Sequence, residues 1–85
     1  MIATMNREEI KEKIFTEIEE IVWDDIERNE NLEFRKDIGF DSLDCVELLI
    51  KVERIFGISI ADEEAEPVKT VEEAINLIAS KVPWK

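Results

Sequence analysis

The sequence predicts an all-α protein, a small four-helix bundle with three main helices and one short helix. The chain has only two glycines and two prolines in 85 residues, which is few for a protein built of hairpins. Apolar residues recur at helical spacing in three separate segments. Each segment follows a residue of the type that caps helix N-termini. At this length we expect one domain, residues 1–85, with a modest core.

The first main helix is expected from about Arg7 to Asp25. Asn6 lies three residues before Glu9, which is the spacing of a capping box at a helix start. Trp23, near the end of this segment, is interpreted as a packing residue. The apolar positions that define the buried face of this helix are Ile10, Ile14, Ile18, Ile21 and Val22.

Residues 29–40 interrupt the helical pattern and predict a long loop. Asn29 and Asn31 disfavour a helix in this segment. Four apolar side chains are expected to anchor the loop to the core, and these are Leu32, Phe34, Ile38 and Phe40. Loops of this length are uncommon in compact domains and are often functional.

The second main helix is expected from Ser42 to Phe56, with Asp41 as its N-cap and Gly57 as the C-terminal residue with positive φ. On a helical wheel, the apolar residues of this segment fall into two groups. One is a normal core stripe, formed by Cys45, Leu48, Leu49, Val52, Ile55 and Phe56. The other is bordered by charged residues and comprises Leu43, Val46 and Ile50. This second group would either widen the core face or contact a partner protein.

The remainder of the chain predicts a short helix and a last main helix. Ile58 and Ile60 alternate with Ser59, which indicates an extended, half-buried segment. The short helical turn covers Asp62 to Glu66, with Asp62 as its cap, and ends before Pro67. Thr70 and Glu73 form another capping box, and Pro83 ends the helix that follows. The apolar face of that helix comprises Val71, Ala74, Ile75, Ile78, Ala79 and Val82.

The composition argues against several classes of function. A formal net charge of −11 opposes binding to nucleic acid and favours partners with basic docking patches. The absence of histidine removes a Ser-His-Asp triad and any His-ligated metal. The single Cys45 can form neither an internal disulfide nor a multi-cysteine zinc site, so we predict no metal centre. The free thiol and the lack of a membrane-spanning apolar run lead us to expect a cytoplasmic protein that does not enter a membrane.

The segment Gly39-Phe-Asp-Ser-Leu-Asp44 places a serine hydroxyl at the first turn of a helix. Helix N-termini present unpaired N–H groups and a positive partial charge, which favour a phosphate ester there. Without a histidine base, Ser42 is a better candidate for modification by another enzyme than for a self-activating nucleophile. Asp41 and Asp44 flank it and could help to hold a divalent cation in that enzyme's complex. Asp-Ser before an apolar run is also typical of a plain helix start.

A wider set of motifs resembles the acyl carrier protein family of phosphopantetheine-carrying domains, most clearly over residues 37–78. These motifs are Gly39-Phe-Asp-Ser-Leu-Asp44, Val46-Glu-Leu48, Phe56-Gly-Ile58 and Asp62-Glu-Glu-Ala-Glu66. The resemblance implies that Ser42 receives 4′-phosphopantetheine from coenzyme A through a phosphopantetheinyl transferase. The thiol of that arm would carry an acyl group as a thioester. We therefore expect a non-catalytic, monomeric carrier that presents its cargo to acyl-loading and acyl-processing enzymes.

The resemblance also implies two further sets of residues. The residues that match the family's docking positions are Asp41, Leu43, Asp44, Val46, Glu47, Ile50 and Glu53. The candidate lining of a pocket for the acyl chain comprises Leu49, Ile60, Ala65, Val68 and Ile75. Three residues depart from the family pattern: Arg54 replaces a frequent acidic residue, Ala61 a frequent proline, and Pro67 interrupts a segment that is often helical.

Several functions remain open at the level of sequence. Fatty acyl or polyketide intermediates, amino acids of the peptidyl or D-alanyl type, and a specialised acyl group are all possible cargoes, and length and acidity favour the fatty-acid type. An acidic interaction module, with Ser42 acting only as a helix cap, is the non-carrier alternative. A calcium-binding loop starting at Asp37 fails, because Gly39, Ser42 and Leu48 occupy positions where ligands or glycine are needed. No convergent carboxylate pair points to an autonomous enzyme.

Overall fold

The computed structural model describes residues 6–82, and within this range the fold is helical with no strand. The main helices are α1 (Arg7–Val22), α2 (Ser42–Phe56) and α4 (Val71–Lys81), and the short helix is α3 (Asp62–Ala65). A single π-helical turn covers Phe34–Ile38. The predicted all-α class with three main helices and one short helix is confirmed. Pro83, predicted to end the last helix, lies outside the described residues.

Helix α1 begins at the predicted capping box but ends earlier than predicted. The Asn6 Oδ1 accepts a hydrogen bond from the Glu9 amide at 2.9 Å, and the Glu9 carboxylate accepts one from the Asn6 amide at 3.1 Å. The helix stops at Val22 rather than near Asp25, because Trp23 adopts a left-handed conformation with φ of 60°. The Trp23 side chain is 92% exposed, so the interpretation of Trp23 as a packing residue is wrong.

The core lies where α1 packs against α2 and α4. The side chains that are essentially inaccessible to solvent are Ile10, Ile14, Phe15, Ile18, Val71 and Ile75. Full burial of each such side chain is worth about 1.5–3 kcal/mol relative to exposure, so this apolar seam provides much of the stability of a domain this small. Five of these six belong to the predicted buried faces of α1 and α4, and Phe15 was not predicted. The predicted Ile21 and Val22 are only half-buried.

The segment between α1 and α2 crosses the bundle and is fixed at both its backbone and its side chains. The Phe34 amide donates to the Lys69 carbonyl at 2.9 Å, and the Val71 amide donates to the Leu32 carbonyl at 3.0 Å, so the segment is tied to the start of α4. Phe34 and Phe40 are buried and stacked, with ring centroids 5.7 Å apart. Leu32 and Ile38 are half-buried against the core. The anchors are thus as predicted, but the segment contains the π-helical turn, which the apolar pattern did not indicate.

Ion pairs also connect the segment between α1 and α2 to helix α1. Arg7 on α1 forms a bidentate ion pair with Glu30, with distances of 2.7 and 3.0 Å. The hydrogen bond from Arg7 lowers the pKa of the Glu30 carboxyl below its ordinary value. A lowered pKa means that the pair stabilises the fold at neutral pH, and that this contribution is lost on acidification through the pKa of the folded state. Arg28 contacts Glu19 at 3.1 Å and lies 5.4 Å from the centre of the Phe15 ring.

Helix α2 has the predicted bounds, and Gly57 ends it with φ of 65°. Leu48 and Val52 are buried in the core, and Cys45, Leu49 and Phe56 are half-buried. Ile55 is 39% exposed, so its assignment to the core stripe is wrong. It lies at the edge of that stripe in the last turn of the helix, where fewer neighbours can cover it.

A side chain of α2 stabilises the connection from α2 to α3. The Glu53 carboxylate accepts a hydrogen bond of 2.7 Å from the amide of Ile60, whose side chain is buried. The N-cap of α3 is Ala61 rather than the predicted Asp62, because Asp62 already has helical conformation. Glu64 supplies the polar contact instead, since its carboxylate accepts from the Ala61 amide at 3.0 Å and pairs with Lys81 of α4 at 3.0 Å. Helix α3 ends at Ala65, one residue before the predicted Glu66.

Replacing Trp23 by glycine is expected to stabilise the fold, because glycine adopts the left-handed conformation without the steric cost of a Cβ atom. After the entropic cost of glycine, we expect a gain of about 0.5–1 kcal/mol, which corresponds to a rise in Tm of roughly 2–6 °C in thermal unfolding. Trp23→Ala is the matched control, since it removes the exposed ring but keeps the Cβ. A glycine variant that melts no higher than the alanine variant would show that the conformation of residue 23 is not strained.

Replacing Glu53 by alanine is expected to lower the free energy of unfolding in urea by about 1–2 kcal/mol, because the Ile60 amide loses its hydrogen-bond acceptor. The control is Glu47→Ala on the exposed face of the same helix, for which we expect little change. Equal losses in the two variants would rule out a structural role for the Glu53 carboxylate.

Candidate functional site

The start of α2 is fixed by two aspartates that cap each other. The Asp41 carboxylate accepts a hydrogen bond from the Asp44 amide at 2.9 Å, and the Asp44 carboxylate accepts one from the Asp41 amide at 3.2 Å. Asp41 has extended backbone conformation, so helical conformation begins at Ser42. The predicted N-cap is confirmed, and its reciprocal partner is Asp44.

The approach to this helix start depends on Gly39 and Phe40. Gly39 ends the π-helical turn with φ of 90°, in the left-handed region that a Cβ would disfavour. The next residue, Phe40, is buried in the core and anchors the chain directly before Asp41. Ser42, which follows, is exposed. The serine hydroxyl therefore lies at the surface between the anchored residues Gly39 and Phe40 and the capped start of α2.

Ser42 does not cap α2, and its hydroxyl has a different partner. The guanidinium of Arg35, on the π-helical turn, donates a hydrogen bond to Ser42 Oγ at 3.0 Å. The sequence pattern did not indicate Arg35, because the apolar spacing of residues 29–40 does not encode a polar contact to Ser42. The available signal was a basic residue seven positions before the serine within an acidic chain.

The second apolar group of α2 is exposed rather than part of a wider core. We call Leu43, Val46 and Ile50 the exposed strip, and these side chains are 74%, 51% and 48% exposed. Asp41 and Glu47 beside the strip are exposed, and Asp44 is half-buried. Glu53 is also half-buried, and one of its carboxylate oxygens is bound to the Ile60 amide. Exposed apolar residues rimmed by charge are typical of a protein interaction surface.

An apolar cavity of about 420 Å³ lies beside Ser42. Ser42 and Arg35 are among its lining residues, with Asp62 and Glu66 as the acidic ones. Of the residues proposed for an acyl pocket, the cavity is lined by Leu49, Ile60, Ala65 and Val68. Ile75 is fully buried in the core and does not line it. The lining residues absent from the sequence-based set are Phe34, Phe40, Cys45, Val46, Leu48, Val52, Ala74, Leu77 and Ile78.

The site has the features that a covalently attached phosphate ester requires. The Ser42 hydroxyl is exposed at the N-terminus of a helix of 15 residues, where amide groups and the helix dipole favour an anion.

Among residues 6–82, no group of three or more acidic or cysteine side chains is arranged to hold a metal ion. None of the helices in this range is both long enough and apolar enough to span a membrane.

Comparisons with known proteins agree with this site. The sequence profile of the family described as a phosphopantetheine attachment site matches residues 12–78. The chain is 46% identical over 76 residues to an acyl carrier protein of Rubrobacter xylanophilus, covering 87% of this chain and 93% of that protein. It is 39% identical over 79 residues to an acyl carrier protein of Guillardia theta, covering 92% and 98% of the two chains.

Two solved structures share the fold. One, from Mycobacterium tuberculosis and described as an acyl carrier protein, has a TM-score of 0.80 and 31% identity, covering 84% of this chain and 96% of that chain. The other is an acyl carrier protein of Thermotoga maritima, with a TM-score of 0.79, 31% identity and 91% of both chains covered. The helical architecture and the exposed serine at the capped start of α2 agree with these similarities. The similarities show that the chain belongs to the phosphopantetheine-carrying acyl carrier protein family.

Proposed function

We propose that Ser42 is the attachment point of 4′-phosphopantetheine, and that the chain is a non-catalytic carrier of acyl intermediates in fatty acid biosynthesis. One observation carries this proposal: an exposed serine hydroxyl is the first residue of a capped helix and lines an apolar cavity. Its position within the region matched by the family supports the assignment. The continuous apolar core of residues 6–82 supports the treatment of the chain as a single domain, and we propose that it is monomeric.

Loading of Ser42 requires a partner enzyme. In that step a bond forms between Ser42 Oγ and the phosphorus next to pantetheine, the pyrophosphate bond of coenzyme A breaks, and adenosine 3′,5′-bisphosphate leaves. The chain has no histidine to act as the base, and we propose that a group of the phosphopantetheinyl transferase accepts the hydroxyl proton. Asp41 and Asp44, on either side of the serine, would help to hold the divalent cation in that complex. Once attached, the arm supplies a thiol that carries the cargo as a thioester.

The exposed strip is the proposed docking surface for the transferase and for acyl-loading and acyl-processing enzymes. Apolar contacts at the strip would provide affinity, and the acidic side chains of Asp41, Asp44, Glu47 and Glu53 would attract basic patches on those partners. Glu53 has a structural role as well, since one of its oxygens is already bound within the chain. Arg54 is exposed on the same helix and would repel a uniformly basic partner, so the partners of this chain are expected to have a neutral or acidic group there.

The cavity favours an acyl cargo over an amino acid. Its lining is mainly apolar, so it would gain hydrophobic free energy from a hydrocarbon chain and little from a small polar cargo. Leu49, Ile60, Ala65 and Val68 are the proposed contacts with such a chain. Carriage of an amino acid or of a specialised acyl group is the alternative within the carrier class. The single free thiol, Cys45, favours a cytoplasmic location, which we propose as well.

A plain interaction module is the alternative outside the carrier class, and Ser42 distinguishes the two. In that alternative Ser42 was expected to cap α2, but Asp41 holds the capping position. The serine hydroxyl therefore has no capping role in the fold, which favours a role in modification.

The carrier function is tested by the intact mass of the purified chain after incubation with coenzyme A and a broad-specificity phosphopantetheinyl transferase. We expect the wild type to gain the mass of one phosphopantetheinyl group and Ser42→Ala to gain none. The matched control is Ser59→Ala, which removes another exposed serine and should gain the group like the wild type.

Circular dichroism establishes that each variant is folded before the assay. An unmodified, folded wild type, or a modified Ser42→Ala variant, would overturn the assignment of Ser42.

A further inference from the structure

Within the described part of the chain, Arg35 does not form an ion pair across the fold as Arg7 and Arg28 do. Arg7 and Arg28 each form ion pairs with glutamates. Arg35 forms no ion pair with any carboxylate among residues 6–82, and donates instead to the neutral hydroxyl of Ser42 at 3.0 Å. In a chain with 22 carboxylates, a guanidinium held against a serine hydroxyl needs an explanation.

The backbone of Arg35 is anchored to the core, whereas its side chain is exposed. Its backbone belongs to the π-helical turn, which the buried Phe34 anchors to the core. Its side chain is exposed and reaches across to the first residue of α2. Among the described residues that line the cavity, Arg35 is the only basic one. The cation therefore lies at the edge of the cavity, in contact with the atom that would be modified.

A phosphodiester at Ser42 would add a negative charge beside two carboxylates, and the Arg35 guanidinium would offset it. Loading adds a negative charge between Asp41 and Asp44 in a chain whose net charge is already −11. The guanidinium has five N–H donors in a planar fork that matches phosphate oxygens, and hydrogen bonds between such charged groups are stronger than neutral ones. Only one of those donors is needed for the hydroxyl in the unmodified chain.

We propose that Arg35 binds the phosphodiester that loading places on Ser42, and so holds the root of the arm at the edge of the cavity. This inference rests on the proposed attachment at Ser42. It assigns to the π-helical turn a role in the loaded protein that goes beyond anchoring the segment to the core. Arg35 is a binding residue for the attached group, and we assign it no part in the transfer reaction.

The proposal is tested by measuring how loading changes Tm in three proteins: the wild type, Arg35→Gln and Lys36→Gln. Lys36 is the matched control, because it is an exposed cation on the same π-helical turn with no hydrogen bond to Ser42 among the described residues. We expect the change in Tm from unloaded to loaded protein to be less favourable in Arg35→Gln than in the wild type by about 2–4 °C, as for a partly exposed ion pair. Lys36→Gln should follow the wild type.

A second readout reports on the phosphorus itself. We expect the ³¹P chemical shift of the loaded protein to change in Arg35→Gln and to stay at the wild-type position in Lys36→Gln. The Tm difference should also shrink in 1 M salt, where charges are screened over about 3 Å.

The outcomes separate this inference from the function on which it rests. Failure of all three proteins to load would refute the attachment at Ser42. If all three load, but Arg35→Gln matches Lys36→Gln in both Tm change and ³¹P shift, then Arg35 does not bind the phosphodiester and the attachment stands.

Discussion

The reciprocal hydrogen bonds between Asp41 and Asp44 are the constraint on which the site depends. They fix the residue at which α2 begins, and each later residue of a helix is then rotated by a set angle. One start position thus places the Ser42 hydroxyl at the surface, turns Leu48 and Val52 into the core, and leaves the exposed strip in solvent.

The segment that precedes α2 also helps to position Ser42. Its backbone is hydrogen-bonded to the start of α4 and its phenylalanines are buried, so the turn that carries Arg35 is anchored to the bundle. The apolar side chains of this segment, α2, α3 and α4 also enclose the cavity. The proposed attachment serine, the guanidinium beside it and the apolar cavity therefore come from elements that pack on one another.

Local signals in the sequence predicted more than long-range ones. The capping boxes at Asn6 and Thr70 and the bounds of α2 were readable, because each depends on residues three or four positions apart. The exposure of Trp23 and Ile55 depends on which parts of a helix find neighbours, and periodicity does not encode that. The contact from Arg35 to Ser42 required the π-helical turn, which no apolar spacing indicated. Four of the five residues that the resemblance implied for an acyl pocket line the cavity, but most of its lining was not predicted, and Ile75 belongs to the core.

The central proposal is that the cap at Asp41 makes Ser42 available for modification, in addition to any role of the Asp41 charge in the transferase complex. The most direct test is the rate at which a phosphopantetheinyl transferase loads Asp41→Asn and Asp41→Ala. Asparagine caps a helix about as well as aspartate, whereas alanine loses the cap at a cost of about 1 kcal/mol. Because asparagine keeps the cap but loses the charge, we predict that Asp41→Asn loads more slowly than the wild type. Asp41→Ala, which also loses the cap, should load several-fold more slowly still. Equal rates for the two variants would contradict the role of the cap.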